Sequence, residues 1–121
     1  MEITLEDALS LLTKWREENR LIQSTLVLSE LTNACVIGRI TELSPECVRI
    51  TIAKPHEGLM FEGLMFNPSD ADELSFHDWR DAPAEHAEQL QAAYEGFIFL
   101  RFRNGHCEVY AAKTPDELPP V

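Results

Sequence analysis

The segment Gly96–Ala112, GFIFLRFRNGHCEVYAA, carries the clearest structural signal in the chain. Asn104-Gly105 lies between two runs rich in aromatic and branched residues, and this arrangement is the strongest short-range signal for a β-hairpin. A two-residue turn at Asn104-Gly105 would place Arg103 opposite His106. The segment therefore predicts an antiparallel hairpin with one apolar face, formed by Ile98, Leu100, Phe102, Cys107 and Val109.

N-terminal to this hairpin, apolar residues recur at helical spacing over residues 4–18. Thr4 at the start and Asp7 three positions later form a capping-box pattern. The sequence therefore predicts an N-terminal helix whose apolar stripe must be buried against a sheet. The residues of this stripe are Leu5, Ala8, Leu9, Leu12 and Trp15.

Three stretches after the helix, 21–28, 34–41 and 47–53, are rich in the branched residues that favour strands. Gly38 lies inside the second stretch, where glycine marks a bulge or a close approach of neighbouring backbone. In the third stretch, apolar residues alternate with Arg49 and a threonine. This alternation predicts a strand with one buried and one wetter face.

Residues 57–66 contain a direct tandem repeat, in which the pentapeptide Glu-Gly-Leu-Met-Phe occurs twice. Because side chains alternate between faces along a strand, a shift of five residues moves each copied side chain to the opposite face. A strand over this segment would be apolar on both faces. Two interpretations remain open: a strand covered by its own chain, with or without an apolar loop, and a subunit interface. The candidate interface residues are Leu59, Met60, Phe61, Leu64, Met65 and Phe66.

Between the repeat and the hairpin, the sequence predicts a long loop and a second helix. Residues 67–83 are dominated by Pro, Ser, Asp and Ala, and a short turn near Phe76 and Trp79 is expected to anchor them. Pro83 suits the first position of a helix, and Gly96 suits the position after its end. The predicted fold class is α+β, with a bent, mostly antiparallel sheet or a partly open small β-barrel.

The chain of 121 residues has the size of one domain, which we place at residues 1–112, followed by a flexible tail at 113–121. Its formal charge is −11, and residues 57–95 hold ten acidic residues against one basic residue. Because acidic surface repels phosphate backbones, nucleic acid is not an expected partner. The sequence contains neither a membrane-spanning apolar run nor a secretory signal pattern, which favours the cytoplasm.

A search for catalytic and metal-binding motifs finds none with an established spacing. The three cysteines form no CxxC pair and are expected to be reduced and buried. The densest polar and aromatic cluster is His77-Asp78-Trp79-Arg80. It predicts either a polar cleft able to do acid–base chemistry or an exposed loop anchored by its aromatic residues. We expect no metal, no cofactor and no catalytic residue, with a small enzyme using His77 and Asp78 as an alternative.

Two short motifs resemble those of PilZ domains. The stretch Arg16–Arg20 has the RxxxR spacing of that family, and residues 42–48, ELSPECV, are similar to its DxSxxG motif, with Glu for Asp and Cys for Gly. The resemblance implies a module that binds cyclic-di-GMP through Arg16, Arg20 and Ser44. A guanidinium group suits both the phosphates and the guanines of that ligand.

The strands Val36–Ile40 and Val48–Ile50 are also similar to the first motif of Sm-like proteins. Both resemblances imply a small bent β-barrel. Because catalytic motifs are missing and the repeat is apolar on both faces, the first functional hypothesis is a non-catalytic binding or protein-interaction domain. Its partner would be another protein or a second molecule of the same chain.

Overall fold

The computed structural model describes residues 1–29, 32–52, 63–78 and 94–113. Within these ranges the chain forms one α-helix, a 3-10 turn and seven strands, and all the strands pair antiparallel in one sheet. The predicted α+β class is therefore confirmed. The elements are α1 (Leu5–Glu17), β1 (Ile22–Ser29), β2 (Thr32–Leu43), β3 (Val48–Ile52), β4 (Gly63–Phe66), the 3-10 turn (Pro68–Asp70), β5 (Glu73–His77), β6 (Tyr94–Phe102) and β7 (Gly105–Ala112).

Helix α1 begins and ends through local side-chain and backbone chemistry. The Thr4 hydroxyl accepts a hydrogen bond from the Asp7 N–H (3.0 Å), and the Asp7 carboxylate accepts one from the Thr4 N–H (3.2 Å). This confirms the predicted capping box. At the other end, Asn19 has a φ of 55°, and the Arg20 N–H bonds to the Trp15 carbonyl at 3.0 Å. This closing turn, of the Schellman type, leads the chain directly into β1.

The strand order is β4-β3-β2-β1-β7-β6-β5, so two meanders, β1–β4 and β5–β7, are joined by the pairing of β1 with β7. The core lies between α1 and one face of this sheet. On the helix side, Ala8, Leu12 and Trp15 are buried, whereas Leu5 and Leu9 are half-buried. The sheet contributes Ile22, Val36, Ile40, Val48, Ile50, Leu64, Phe66, Ile98, Leu100, Cys107 and Val109.

The C-terminal hairpin forms, but its pairing differs by two residues from the predicted one. Phe102 lies opposite Gly105, instead of Arg103 opposite His106. The turn is therefore Arg103-Asn104, and neither residue has a positive φ, so it is not the primed type that Asn-Gly favours. Because the shift is even, the predicted apolar face stays in the core.

Gly105 allows two strands to approach each other closely and is not part of the turn. A Cβ atom at this position would overlap the carbonyl oxygen of Val27 on β1 and lie 2.9 Å from the Leu28 Cα atom. Gly38 on β2 meets the same restriction, since its Cβ would overlap the carbonyl oxygen of Thr51. The neighbouring strand therefore has a direct effect on where the hairpin turns.

We expect Gly105→Ala to destabilise the protein more than Asn104→Ala. The added methyl group at position 105 forces β1 and β7 apart, at a cost of about 1–3 kcal/mol. Asn104 is exposed in a turn without a positive φ, so its replacement should cost less than about 0.5 kcal/mol. Urea unfolding of both variants measures the difference, and equal losses would contradict this turn assignment.

The region predicted as a long loop contains a strand, and that part of the prediction was wrong. Phe76, expected in a short turn, lies in β5 opposite Ile98 of β6. Ahead of β5, the 3-10 turn is anchored by the buried Pro68 and by a hydrogen bond from the Ser69 N–H to the Pro45 carbonyl (3.0 Å). These contacts order a segment that composition alone describes as a loop.

The predicted second helix falls largely in residues 79–93, outside the described ranges. Tyr94, expected near the C-terminal end of this helix, and Gly96, expected just after it, lie instead in β6. Gly96 has a φ of 148°, and a Cβ there would lie 2.7 Å from the Phe76 ring. Glycine is required here for the packing of β6 on β5 rather than for a helix end.

Strands β4 and β5 form the two edges of the described sheet and do not pair with each other. Within the described residues the sheet is therefore not closed into a barrel. In the same part of the chain, no helix has both the length and the apolar character needed to cross a bilayer.

Candidate interaction site

The two edges of the sheet differ in how their backbone is covered. Residues 1–3 run along β5, where the Phe76 N–H bonds to the Met1 carbonyl (2.9 Å) and the Ile3 N–H bonds to the Leu74 carbonyl (3.0 Å). In the described part of the chain, β4 pairs with β3 alone. An uncovered strand edge is a template for pairing with another chain.

The last four residues of the second repeat form β4, and their side chains lie in two environments. Leu64 and Phe66 are buried in the core, whereas Met65 points away from α1 and is 55% exposed. Among the predicted interface residues, Met65 is thus the exposed member in the described ranges. The other three, Leu59, Met60 and Phe61, lie outside those ranges.

Met65 packs against side chains from β3 and the turn before it. Its Sδ atom lies 3.9 Å from the Cys47 Sγ atom and 3.3 Å from the Arg49 Nη2 atom. Arg49 also forms an exposed ion pair with Glu42 at 3.1 Å. We call Glu42, Cys47, Arg49 and β4 together the β4 edge site. It joins an apolar side chain, an uncovered backbone edge and a pair of opposite charges.

Two of the three residues implied by the PilZ resemblance lie at one open groove of about 600 Å³ between α1 and the β2–β3 turn. The Arg16 guanidinium donates to the Thr41 carbonyl (3.1 Å). The Ser44 hydroxyl accepts a hydrogen bond from the Cys47 N–H (3.0 Å). Glu17 also lines this groove, so the groove contains a carboxylate as well as the arginine.

Arg20 lies elsewhere and is held by a different set of partners. Its side chain is 12% exposed, and the guanidinium pairs with Glu95 at 2.7 Å and Glu18 at 3.1 Å. It also donates to the Ala112 carbonyl (2.9 Å) and to the Lys113 carbonyl. The structure therefore does not bring Arg16 and Arg20 together. Arg20 therefore links the C-terminal end of α1 to the start of β6 and the end of β7.

The predicted polar cluster lies at the end of β5. His77 is the last residue of that strand; its Nε2 atom is 2.8 Å from the Ser75 hydroxyl, and its ring stacks on Phe97 with centroids 5.0 Å apart. Asp78 follows directly, and Arg80 lies outside the described residues. Because Ser75 is only 5% exposed, its hydroxyl has little access to a substrate. The hydrogen bond orients the His77 ring.

An aromatic cluster on the sheet face opposite α1 was not identified from the sequence. Phe97 and Tyr110 stack at 4.8 Å, and Tyr94 and Tyr110 lie 5.6 Å apart. The sequence pattern that could have revealed this cluster is the alternation along β6, which places aromatic residues on both faces of the strand. Burial raises the pKa of Tyr94, and burial followed by the hydrogen bond to Glu108 raises the pKa of Tyr110. Both phenols therefore stay protonated.

Cysteine placement differs from the expectation that all three are buried. All are free thiols, but only Cys107 is buried, while Cys47 is half-buried and Cys35 is exposed. Burial, opposed by a hydrogen bond from Ser24 and reinforced by Glu108, raises the pKa of Cys107 to about 11. This thiol is therefore protonated and poorly nucleophilic at neutral pH.

The raised pKa of Cys107 predicts a loss of stability in base. The thiol has an ordinary pKa of 9.0 and a folded pKa of about 11, so the unfolded chain loses this proton first. The contribution is fully present below pH 9 and is lost as the pH rises toward 11, up to about 3 kcal/mol. Urea unfolding between pH 8 and pH 10.5 should show this decline, and Cys107→Ala should flatten it. A slope that is unchanged in Cys107→Ala would refute the assignment.

No three His, Cys, Asp or Glu side chains of the described ranges lie close enough together to hold a metal ion. Comparison with protein-family models, curated proteins and solved structures finds no match to this chain.

Proposed function

We propose that the chain is a non-catalytic protein-interaction domain that associates with a second molecule of itself through the β4 edge site. The observation that carries the proposal is the contrast between the two sheet edges. Residues 1–3 cover the backbone of β5, whereas β4 combines an uncovered edge in the described chain with the exposed Met65. Exposed apolar side chains beside an uncovered edge favour strand addition.

Several features of the described chain support a binding role rather than a catalytic one. The buried Cys107 and the half-buried Tyr110 have raised pKa values and stay protonated. Ser75, the partner of His77, is buried. In contrast, the β4 edge site places Met65 and the Arg49–Glu42 ion pair at the surface.

A bent sheet, expected from the sequence, is also part of the proposal. Residues 67–72 join β4 to β5, although these strands are opposite edges of the sheet. A flat sheet of seven strands would separate its edges by about 29 Å. Six residues that include a 3-10 turn reach less than about 23 Å. The connection is therefore too short to join the edges of a flat sheet. This difference supports a sheet that curves around α1 and keeps the face carrying Met65 on the outside.

The proposed association is weak and depends on salt. Pairing through a four-residue strand buries little surface, so we expect a dissociation constant on the order of micromolar or above. Each chain carries a formal charge of −11, and two such chains repel each other. Added salt screens this repulsion. Association should therefore strengthen between 0.05 and 0.5 M NaCl.

Sedimentation velocity over a range of protein concentrations tests this proposal. Met65→Lys places a charge in the paired edge and should raise the dimer dissociation constant at least about tenfold, the effect of ~1.4 kcal/mol. Ile37→Lys is the matched control, because Ile37 is exposed on β2 of the same sheet but lies away from β4. A wild-type monomer at millimolar concentration, or equal effects of the two substitutions, would reject the β4 edge site.

A further inference from the structure

We propose that the β4 position of the sheet accepts either repeat of the pentapeptide, so that the chain exchanges between two strand registers that differ by five residues. Repeat 1 is Glu57–Phe61 and repeat 2 is Glu62–Phe66. Repeat 2 occupies β4 in this structure. The inference does not depend on self-association, since the exchange takes place within one chain.

The β4 position makes specific demands on its occupant. At its first residue, a Cβ on Gly63 would overlap the carbonyl oxygen of Ile50 and lie 3.0 Å from the Thr51 Cα atom, so glycine is required. At its second and fourth residues, Leu64 and Phe66 fill the core beside β3. An occupant therefore needs a glycine, followed by large apolar residues one and three positions later.

Repeat 1 meets each of these demands with the same residue types. Gly58 would take the position where no Cβ fits, Leu59 and Phe61 would fill the two core sites, and Met60 would take the exposed site. Because the two repeats have the same sequence, β3 would meet the same residue types in either register and would not distinguish them. Any difference in stability between the two registers must therefore come from the segments that join β3 to β4 and β4 to β5.

The lengths of these connecting segments give neither register a large advantage in free energy. With repeat 2 in place, ten residues, 53–62, join β3 to β4, and six, 67–72, join β4 to β5. With repeat 1 in place, these connections would have five and eleven residues, 53–57 and 62–72. The cost of closing a loop grows only with the logarithm of its length. The two registers therefore have nearly equal closure costs, and both lengths are ordinary for their connections.

The contacts that follow repeat 2 favour the observed register. Pro68 is buried, and the Ser69 N–H bonds to the Pro45 carbonyl at 3.0 Å. Further on, the Asp72 N–H bonds to the Arg101 carbonyl at 2.7 Å. In the other register, five more residues would separate β4 from the 3-10 turn. The contacts of that turn would then hold β4 in place less directly. The exchange would release Leu64, Met65 and Phe66 from the sheet and make them available to a partner.

Two glycine substitutions and their combination test the exchange. If only repeat 2 can form β4, Gly63→Ala should lower the urea midpoint as much as the double variant Gly58→Ala/Gly63→Ala. If either repeat can form it, Gly63→Ala moves repeat 1 into the sheet and lowers the midpoint only slightly, and Gly58→Ala alone has no effect. The double variant then loses much more stability than the sum of the two single variants. Equal losses for Gly63→Ala and the double variant, or no loss in either, would overturn the proposal.

Methyl NMR of the methionines provides a structural readout of the same exchange. The chain has three methionines, Met1, Met60 and Met65, and Met60→Leu assigns their signals. In Gly63→Ala, the Met60 methyl should move to the chemical shift that Met65 has beside Cys47 and Arg49 in the wild type. An unmoved Met60 signal in a folded Gly63→Ala protein would contradict the exchange.

Discussion

Replacing Trp15 with alanine is expected to lower the free energy of unfolding by about 3–5 kcal/mol, the usual range for a large aromatic residue in a core. Trp15 is 1% exposed and belongs to the cluster that joins α1 to the sheet. The sheet members of this cluster, including Ile22 and Val36, belong to paired strands with little freedom to close the cavity. Denaturant unfolding followed by circular dichroism measures the loss.

Trp15→Phe is the matched control for this prediction. The indole Nε1 atom is buried, and no acceptor for it is found in the described part of the chain. A buried donor without a partner carries a desolvation cost of about 1–3 kcal/mol. Removing it therefore offsets part of the lost packing, and Trp15→Phe should cost under about 1.5 kcal/mol. A Trp15→Phe loss close to that of Trp15→Ala would show that the ring is held by a hydrogen bond.

Arg20→Ala is expected to cost about 2–4 kcal/mol, because it leaves a partly buried ion pair and a backbone carbonyl without their partner. The Arg20 side chain is 12% exposed, and its guanidinium reaches Glu95 and the Ala112 carbonyl at 2.7 and 2.9 Å. Glu95 is 31% exposed, which keeps the expected loss below that of a fully buried pair. Thermal and urea unfolding both measure it.

A double-mutant cycle with Glu95→Gln isolates the ion pair from the carbonyl contacts. We expect a coupling energy of about 1 kcal/mol or more, since one partner is largely buried. Arg20→Lys should recover only part of the loss, because an ammonium group cannot form the same fork of hydrogen bonds. If Arg20→Ala costs less than ~0.5 kcal/mol, Arg20 behaves as a surface arginine.

Local signals in the sequence predict local structure well. The capping box at Thr4 and the periodicity through Trp15 define α1. The alternation around Arg49 defines β3, with Val48 and Ile50 buried and Arg49 exposed. These features depend on residues a few positions apart, for which propensity and periodicity are sufficient.

Features that depend on distant residues were not predicted. The pairing of β1 with β7 brings Val27 against Gly105 and helps to set the hairpin turn, but these residues lie far apart in sequence. The ion pair of Arg20 with Glu95 spans 75 positions. The RxxxR spacing groups Arg20 with Arg16, but it carries no signal for the distant partners of Arg20, Glu95 and the Ala112 carbonyl.

The candidate site was predicted in part. The repeat identified the segment, and its two-sided apolar character left core and interface open. Only the pairing of β4 with β3 shows that Leu64 and Phe66 turn inward and Met65 outward. The covering of β5 by residues 1–3, which leaves β4 as the uncovered edge of the described sheet, has no local signal in the sequence.

Hydrogen exchange at low and high protein concentration tests the β4 edge site most directly. Strand addition protects backbone amides of the edge that it covers. We predict that protection rises with concentration at Gly63–Phe66, stays constant at Ile37 on β2, and is lost at β4 in Met65→Lys. Dimer formation with unchanged exchange at β4, or with new protection confined to another surface, would contradict the account.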